Sequence, residues 1–189
     1  VDSRFTLFRR EPGGSWERLP THFQPQAQAD EHCFAASGTV ASLSSDGMVR
    51  IATGGKVARL MSTAAMGLIQ PSSSKTFAEG DWNSQALPIQ SGQASQGIFS
   101  IAFRDSLHGI AVGGDYSDPE NAAGIAARTT DGGATWTPIR EHGPSGYRSC
   151  VAAVPGTNPP VWVAVGSHGA DWSQDDGLTW QPIAECVGY

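Results

Sequence analysis

Two segments of this chain spell nearly the same residues. Thr129-Thr130-Asp131-Gly132-Gly133-Ala134-Thr135-Trp136-Thr137-Pro138-Ile139 and Ser173-Gln174-Asp175-Asp176-Gly177-Leu178-Thr179-Trp180-Gln181-Pro182-Ile183 both read hydroxyl-x-Asp-x-Gly-x-Thr-Trp-x-Pro-Ile. Their Trp residues lie 44 positions apart, room for about four short strands and their turns. A worn copy, Arg9-Arg10-Glu11-Pro12-Gly13-Gly14-Ser15-Trp16, keeps an acid, a Gly, a hydroxyl and the Trp at the same offsets. Trp82, followed by Leu87-Pro88-Ile89, suggests a fourth position without the acidic turn.

The flanks repeat as well. Ile98-Phe99-Ser100-Ile101-Ala102-Phe103, a turn at Arg104-Asp105-Ser106, and His108-Gly109-Ile110-Ala111-Val112-Gly113-Gly114 precede the first box. Cys150-Val151-Ala152-Ala153-Val154, a Pro/Gly/Asn turn, and Val161-Trp162-Val163-Ala164-Val165-Gly166 precede the second. In each unit one apolar run leads to another that ends in Gly, and an alternating stretch then enters the box. Short apolar runs bounded by turn residues read as strands. An earlier unit is expected on the same plan, with strands at Cys33-Phe34-Ala35-Ala36, at Met48 to Gly55 and at Lys56 to Ser62.

The residue types explain the box as a hairpin lock. Its Gly takes the positive φ of a tight turn. Its Asp accepts hydrogen bonds from N–H groups of its own turn, the Ser or Thr hydroxyl helps hold the loop, and the Trp is the apolar anchor against a neighbouring sheet. In the two clear copies these residues are Thr129, Asp131, Gly133, Thr135 and Trp136, and Ser173, Asp175, Gly177, Thr179 and Trp180.

Composition removes several function classes. The 189 residues carry 12 Lys and Arg against 18 Asp and Glu, a formal charge of -6, so the basic face of a nucleic-acid binder is not expected. No apolar run approaches the roughly 18 residues of a membrane helix. Six Trp and seven Phe call for a buried core rather than disorder. Cys33, Cys150 and Cys186 have no C-x-x-C spacing and read as small apolar residues, with a Cys150–Cys186 bridge open to an oxidising compartment. The five His show no ligand spacing and Asp175-Asp176-Gly177 lacks the rest of a calcium loop, so no metal and no cofactor is expected. The first residue is Val1, and positions 1–20 carry no apolar core of a signal peptide.

The boxes at 129–136 and 173–180, with the degenerate one at 9–16, resemble the Asp-box or BNR repeat of sialidase-like β-propellers. The order of strands, the Gly-Gly ends and the stretches Ala126 to Gly133 and Gly146-Tyr147-Arg148-Ser149 are similar to photosystem II stability/assembly factor-like and BNR-repeat "glycosyl hydrolase" bacterial proteins. The resemblance implies an all-β propeller of four-stranded antiparallel blades, with the box on the outer part of each blade and remote from the central pocket. About three full blades are expected, at 30–90, 97–140 and 146–184, with the end of another at 4–19 and the start of a further one at Val187-Gly188-Tyr189. Closed propellers have about four to eight blades, so this is an incomplete ring, expected to be part of a larger one, with open blade edges available for self-association. An extracytoplasmic location is implied by the resemblance alone.

The box identifies a fold and not an activity. The expected function is a non-catalytic binding or assembly scaffold whose partner, a protein or a glycan, meets loops near 104–107, 115–123 and 142–148. Arg104, Tyr116, Glu120 and Arg148 are the residues assigned to binding there. The alternative is a sialidase-like glycoside hydrolase holding only part of its site in this chain. Its catalytic candidates are Tyr147, Glu141, Asp115 and Asp118, since glycoside hydrolysis needs carboxylates facing one pocket. No segment supplies an arginine triad.

Overall fold

The computed structural model describes residues 3–10, 12–44, 47–64, 82–184 and 186. Among them are strands and two short 3-10 turns, Thr21–Phe23 and Ala35–Ser37, and no α-helix. The expected start of a further blade at 187–189 and the acid at position 11 lie outside the described residues.

The chain opens on a hairpin, β1 (Phe8–Arg10) and β2 (Trp16–Arg18), then a two-residue strand β3 (Glu31–His32). A first four-stranded antiparallel sheet follows from β4 (Ala41–Leu43) and β5 (Met48–Ala52). After β6 (Gly54–Gly55), which leaves that sheet, β7 (Arg59–Ala64) and β8 (Asn83–Ala86) complete it. The second meander is β9 (Gln96–Phe103), β10 (Gly109–Asp115), β11 (Ala126–Thr129) and β12 (Thr137–Pro138), extended at its inner side by β6 and β3. The third is β13 (Cys150–Val154), β14 (Val161–Gly166), β15 (Gly169–Ser173) and β16 (Gln181–Pro182). The three meanders stand as propeller blades, and among the described residues the ring does not close.

The first strands of the three blades meet at the inner wall, where β9 packs between β4 and β13. Ser100, fully buried in the middle of β9, joins all three. Its Oγ accepts the Thr39 hydroxyl at 2.7 Å, just ahead of β4, and the Val151 N–H of β13 at 2.9 Å. At the end of β9 the backbones approach so closely that side chains have no room. Gly54 pairs with Gly97, and a Cβ on Gly113 would fall onto the Gly97 carbonyl.

The core is two layers between blades. Ala52, Ala58 and Leu60 of the first blade meet Ile98, Ile101, Ala111, Ala127 and Trp136 of the second. Ile110, Val112, Ile125 and Ala126 meet Val151, Trp162, Ala164 and Trp180 of the third. Ala111 and Ile110 are neighbours on one strand pointing to opposite faces. This explains why β10 is buried throughout and carries no polar side chain before its last residue, Asp115, while β14, at the same place in the next blade, alternates between buried and accessible residues. The middle blade is covered on both faces and the last on one. The outer face of the first blade is covered by the N-terminal segment, where Leu19 and Phe23 pack with Leu7, Val49 and Trp82.

Three local expectations are corrected. The stretch 33–36 is not a strand. Phe34 leads into the 3-10 turn Ala35–Ser37, closed by Gly38 at φ 72°, because the Phe34 ring is drawn onto Phe99 and the Ser37 hydroxyl engages the Phe99 carbonyl. The stretch 48–55 is two strands, since β6 pairs with β3 and β9 rather than with its own blade. Lys56 and Val57 form no strand, the third strand of that blade being Arg59–Ala64. The hairpin at 9–16 also departs from the other two. It pairs Arg10 with Trp16, one residue further into the turn, and Trp16 is 67% exposed where Trp136 and Trp180 are 9% and 5%.

Candidate functional site

The two box turns lie between the third and fourth strands of their blades and carry the same hydrogen bonds. The Thr129 hydroxyl donates to Asp131 Oδ1 at 2.7 Å and accepts the Gly133 N–H at 2.9 Å. Asp131 Oδ1 and Oδ2 accept the Thr135 N–H at 2.9 Å and the Thr135 hydroxyl at 2.6 Å. In the second turn Ser173, Asp175, Gly177 and Thr179 repeat this at 2.8, 2.9, 2.8 and 2.6 Å. Each turn then sits on the preceding blade. Gly133 lies against Leu60 and Arg50, and Arg50 donates to the Gly132 carbonyl at 2.8 Å while covering the Phe103 ring. Gly177, at φ +80°, lies so near the Ile110 side chain that a Cβ would overlap it.

The hydroxyl and N–H of Thr135, with the Thr129 hydroxyl, hold Asp131 down from its ordinary 3.8 to about 2. Burial pulls Asp105 upward, but the N–H groups of His108 and Leu107, the His108 ring and Arg104 outweigh it and bring it also to about 2. Carboxyls depressed in the folded state contribute stability that is present above the unfolded value, near 4, and lost as pH falls through about 2. The unfolding midpoint is therefore expected to drop between about pH 4 and 2, with a weaker drop in Asp131→Ala and Asp105→Ala. Thermal scans across that range, against the same scans at pH 6, measure it. Because Asp131 is exposed, the N–H groups it leaves behind reach water, and Asp131→Ala at neutral pH is expected to cost about 1 kcal/mol, as loss of a helix cap does.

The residues singled out for binding or chemistry fall in different places. Arg104 donates to both oxygens of Asp176 at 2.8 and 2.9 Å and to Asp105 at 2.5 Å, so it ties the second blade to the second box turn. Arg148 is 1% exposed; its Nε reaches Asp171 at 2.6 Å, and its other nitrogens reach the Tyr147 carbonyl and the Ser145 hydroxyl. Both guanidiniums spend their donors inside the protein. Asp115 is buried, accepting from Gln96 at 3.0 Å and the Ser117 N–H at 2.8 Å. Burial pulls its carboxyl up, and hydrogen bonds from Ser95, Ser117 and Gln96 outweigh that and lower it. Asp118 is exposed and accepts from Asn121; Glu120 and Glu141 are exposed. Tyr147 is buried, with its N–H bonded to the Pro119 carbonyl, and Tyr116 is half-exposed.

Only Tyr116 and Tyr147 of these candidates line a cleft at the inner ends of the blades. It has a volume of about 780 Å³, and its walls are residues 33–37, Phe99, the two Tyr, Ser149, Cys150 and Val165. Phe34 stacks on Phe99 with centroids 3.9 Å apart, and Tyr147 and Tyr116 meet Phe99 edge-on at 4.9 and 6.0 Å. No carboxylate and no arginine stands among these described lining residues. Burial pushes the Cys33 thiol up, with help from Glu31, and its sulfur faces the Ala52 carbonyl. It is held as a protonated thiol in the wall. Phe34 and Phe99 were not legible as site residues. Phe99 reads as one more apolar residue of a strand and Phe34 as part of another, and only their contact makes them a surface.

Four-stranded antiparallel blades around an inner wall define a β-propeller-type protein. No protein-family model and no curated protein matches the chain in sequence. Among solved structures, the chain is similar to one described as "YCF48 bound to D1 peptide", with a TM-score of 0.45 and 19% identity over 79% of this chain and 44% of that one. The chain thus spans less than half the length of that protein.

Proposed function

We propose that the chain is part of an Asp-box (BNR-repeat) propeller that works as a non-catalytic binding scaffold and takes an apolar segment of a protein partner into the inner cleft. The blades on this reading are 30–90, 97–140 and 146–184, with the end of another at 4–19, and belong to a larger ring. The observation that carries it is the ring cluster of Phe34, Phe99, Tyr116 and Tyr147 in a cleft of ligand size. Aromatic side chains already fixed against one another lose little freedom on binding and dominate binding energies. The carboxylates that a glycosidase would need are bonded inside their own loops or stand outside the cleft.

The test is selection of peptides from a random display library on the whole chain, followed by titration against Tyr116→Ala. Tyr116 is half-exposed, so the variant is expected to keep its melting midpoint and to weaken the selected peptides about thirty-fold, an effect of about 2 kcal/mol. Selected peptides are expected to carry aromatic or branched aliphatic residues. Retention on a glycan array without any peptide selected, or unchanged affinity in the variant, overturns the reading.

A further inference from the structure

The chain builds the same contact between blades twice, and among the described residues a sheet face and a Trp hairpin resembling its two halves stand open, the hairpin pairing one residue further into its turn. In each built contact a box glycine lies against the preceding blade, Gly133 by Leu60 and Gly177 by Ile110, and its Trp shares a buried cluster with that blade, Trp136 with Leu60 and Ala52, Trp180 with Ile110 and Val112. The receiving positions are fixed by register. Box hydroxyl Thr129 pairs with Gly109 and box hydroxyl Ser173 with Trp162. Val163 and Val165 in the third blade therefore hold the places of Ile110 and Val112 in the second. Ile110 and Val112 are buried, whereas Val165 is 38% exposed and Val163 partly so. Ala152, Val163 and Trp172 lie in one row across that face, with Val154 and Val161 beside them, so it is apolar across three strands.

The other half is the N-terminal hairpin. Trp16 follows its turn glycine at the same offset as Trp136 and Trp180, and Gly13 has the same left-handed backbone, φ +77° against +92° and +80°. Gly133 and Gly177 each lie against the blade before them, while a Cβ on Gly13 would meet none of the described residues within 4 Å and Trp16 is exposed together with Phe8.

We infer that the Trp16 hairpin of one copy docks on the Val163–Val165 face of a second copy, continuing the contact that the chain makes within itself. Such an interface is heterologous: two different patches meet, and each copy carries one of each. It rests on the sheet register and not on the cleft reading; Val165 borders both surfaces, so the face is probed at Val154, which is exposed and outside the cleft.

The patches being different gives a decisive test. Sedimentation of the whole chain over a concentration series is expected to show assembly, and Trp16→Asp and Val154→Lys each to weaken it at least thirty-fold, as loss of a central aromatic or burial of an unpaired charge does. Both residues are exposed, so melting midpoints stay unchanged and loss of assembly is not loss of fold. Mixing the two variants leaves one intact hairpin and one intact face, and a one-to-one pair that grows no further is expected. A wild-type chain that stays monomeric at about 100 µM, far above the Kd of a standard interface, overturns the inference. So does a mixture that fails to pair, or assembly that survives both substitutions.

Discussion

Trp180→Ala is expected to destabilise the chain by about 3–5 kcal/mol, the range for large aromatic truncations in packed cores. For a chain of this size that lowers the melting midpoint by roughly 6–20 °C. The side chain is buried among Ile110, Ile139 and Trp162, so its removal opens a void where two blades meet, and neighbouring strands held by ladders on both sides have little freedom to close it. Trp136→Ala is expected to fall in the same range, through the layer that includes Leu60, Leu87 and Ile98. The two differ in a way a second pair of variants reads out. Trp180 Nε1 donates to the Gly177 carbonyl at 3.2 Å, whereas Trp136 Nε1 is buried with no partner among the described residues. Trp136→Phe removes an unpaired donor and is expected to cost less than Trp180→Phe, which leaves an acceptor unpaired. Thermal and denaturant unfolding of the four variants measures the set. Alanine variants that melt with the wild type would remove the Trp from its place as anchor, and the blade-on-blade account of stability with it.

What was legible in the sequence is what repeats. The 44-residue offset between Trp136 and Trp180, with the Gly-ended apolar runs ahead of each, specifies four-stranded units because each residue type serves as turn, lock, strand or anchor through its immediate neighbours alone. Where a role depends on a residue far along the chain, the local pattern is silent. Cys33-Phe34-Ala35-Ala36 has the composition of a short buried strand, and only the stacking on Phe99 makes it a turn instead. Arg104 reads as a loop arginine free for a ligand, yet its partner Asp176 is 72 residues on. One signal was present and unused. The repeat offset places Asp171 where the first box unit has Ala127, a fully buried position. A carboxylate at a core register position needs a buried cation.

That cation is Arg148, and separating the pair is the other large effect expected. Both side chains are 1% exposed. Arg148 Nε and Nη2 meet Asp171 Oδ2 at 2.6 and 2.5 Å, and the Ser145 N–H adds a third donor at 3.2 Å. Asp171 Oδ1 is buried with no hydrogen-bond partner among the described residues, so the carboxylate relies on the donors gathered at Oδ2, chiefly those of Arg148. Arg148→Ala or Asp171→Ala leaves a buried charge uncompensated and is expected to cost about 3–5 kcal/mol. Replacing both, as Arg148→Met with Asp171→Leu, removes both desolvation penalties and is expected to recover most of that loss. Denaturant unfolding of the two single variants and the double variant gives the coupling directly. Single variants within about 1 kcal/mol of wild type would mean that the charges are solvated and the pair is not structural. The consequence reaches the cleft. Arg148 holds the Tyr147 carbonyl and the Ser145 hydroxyl, and so fixes the backbone that presents the Tyr147 ring to Phe99. The Met/Leu pair restores burial without restoring those two bonds. It is expected to regain stability while still binding a cleft peptide more weakly than wild type, which separates a residue that positions the site from one that merely holds up the fold.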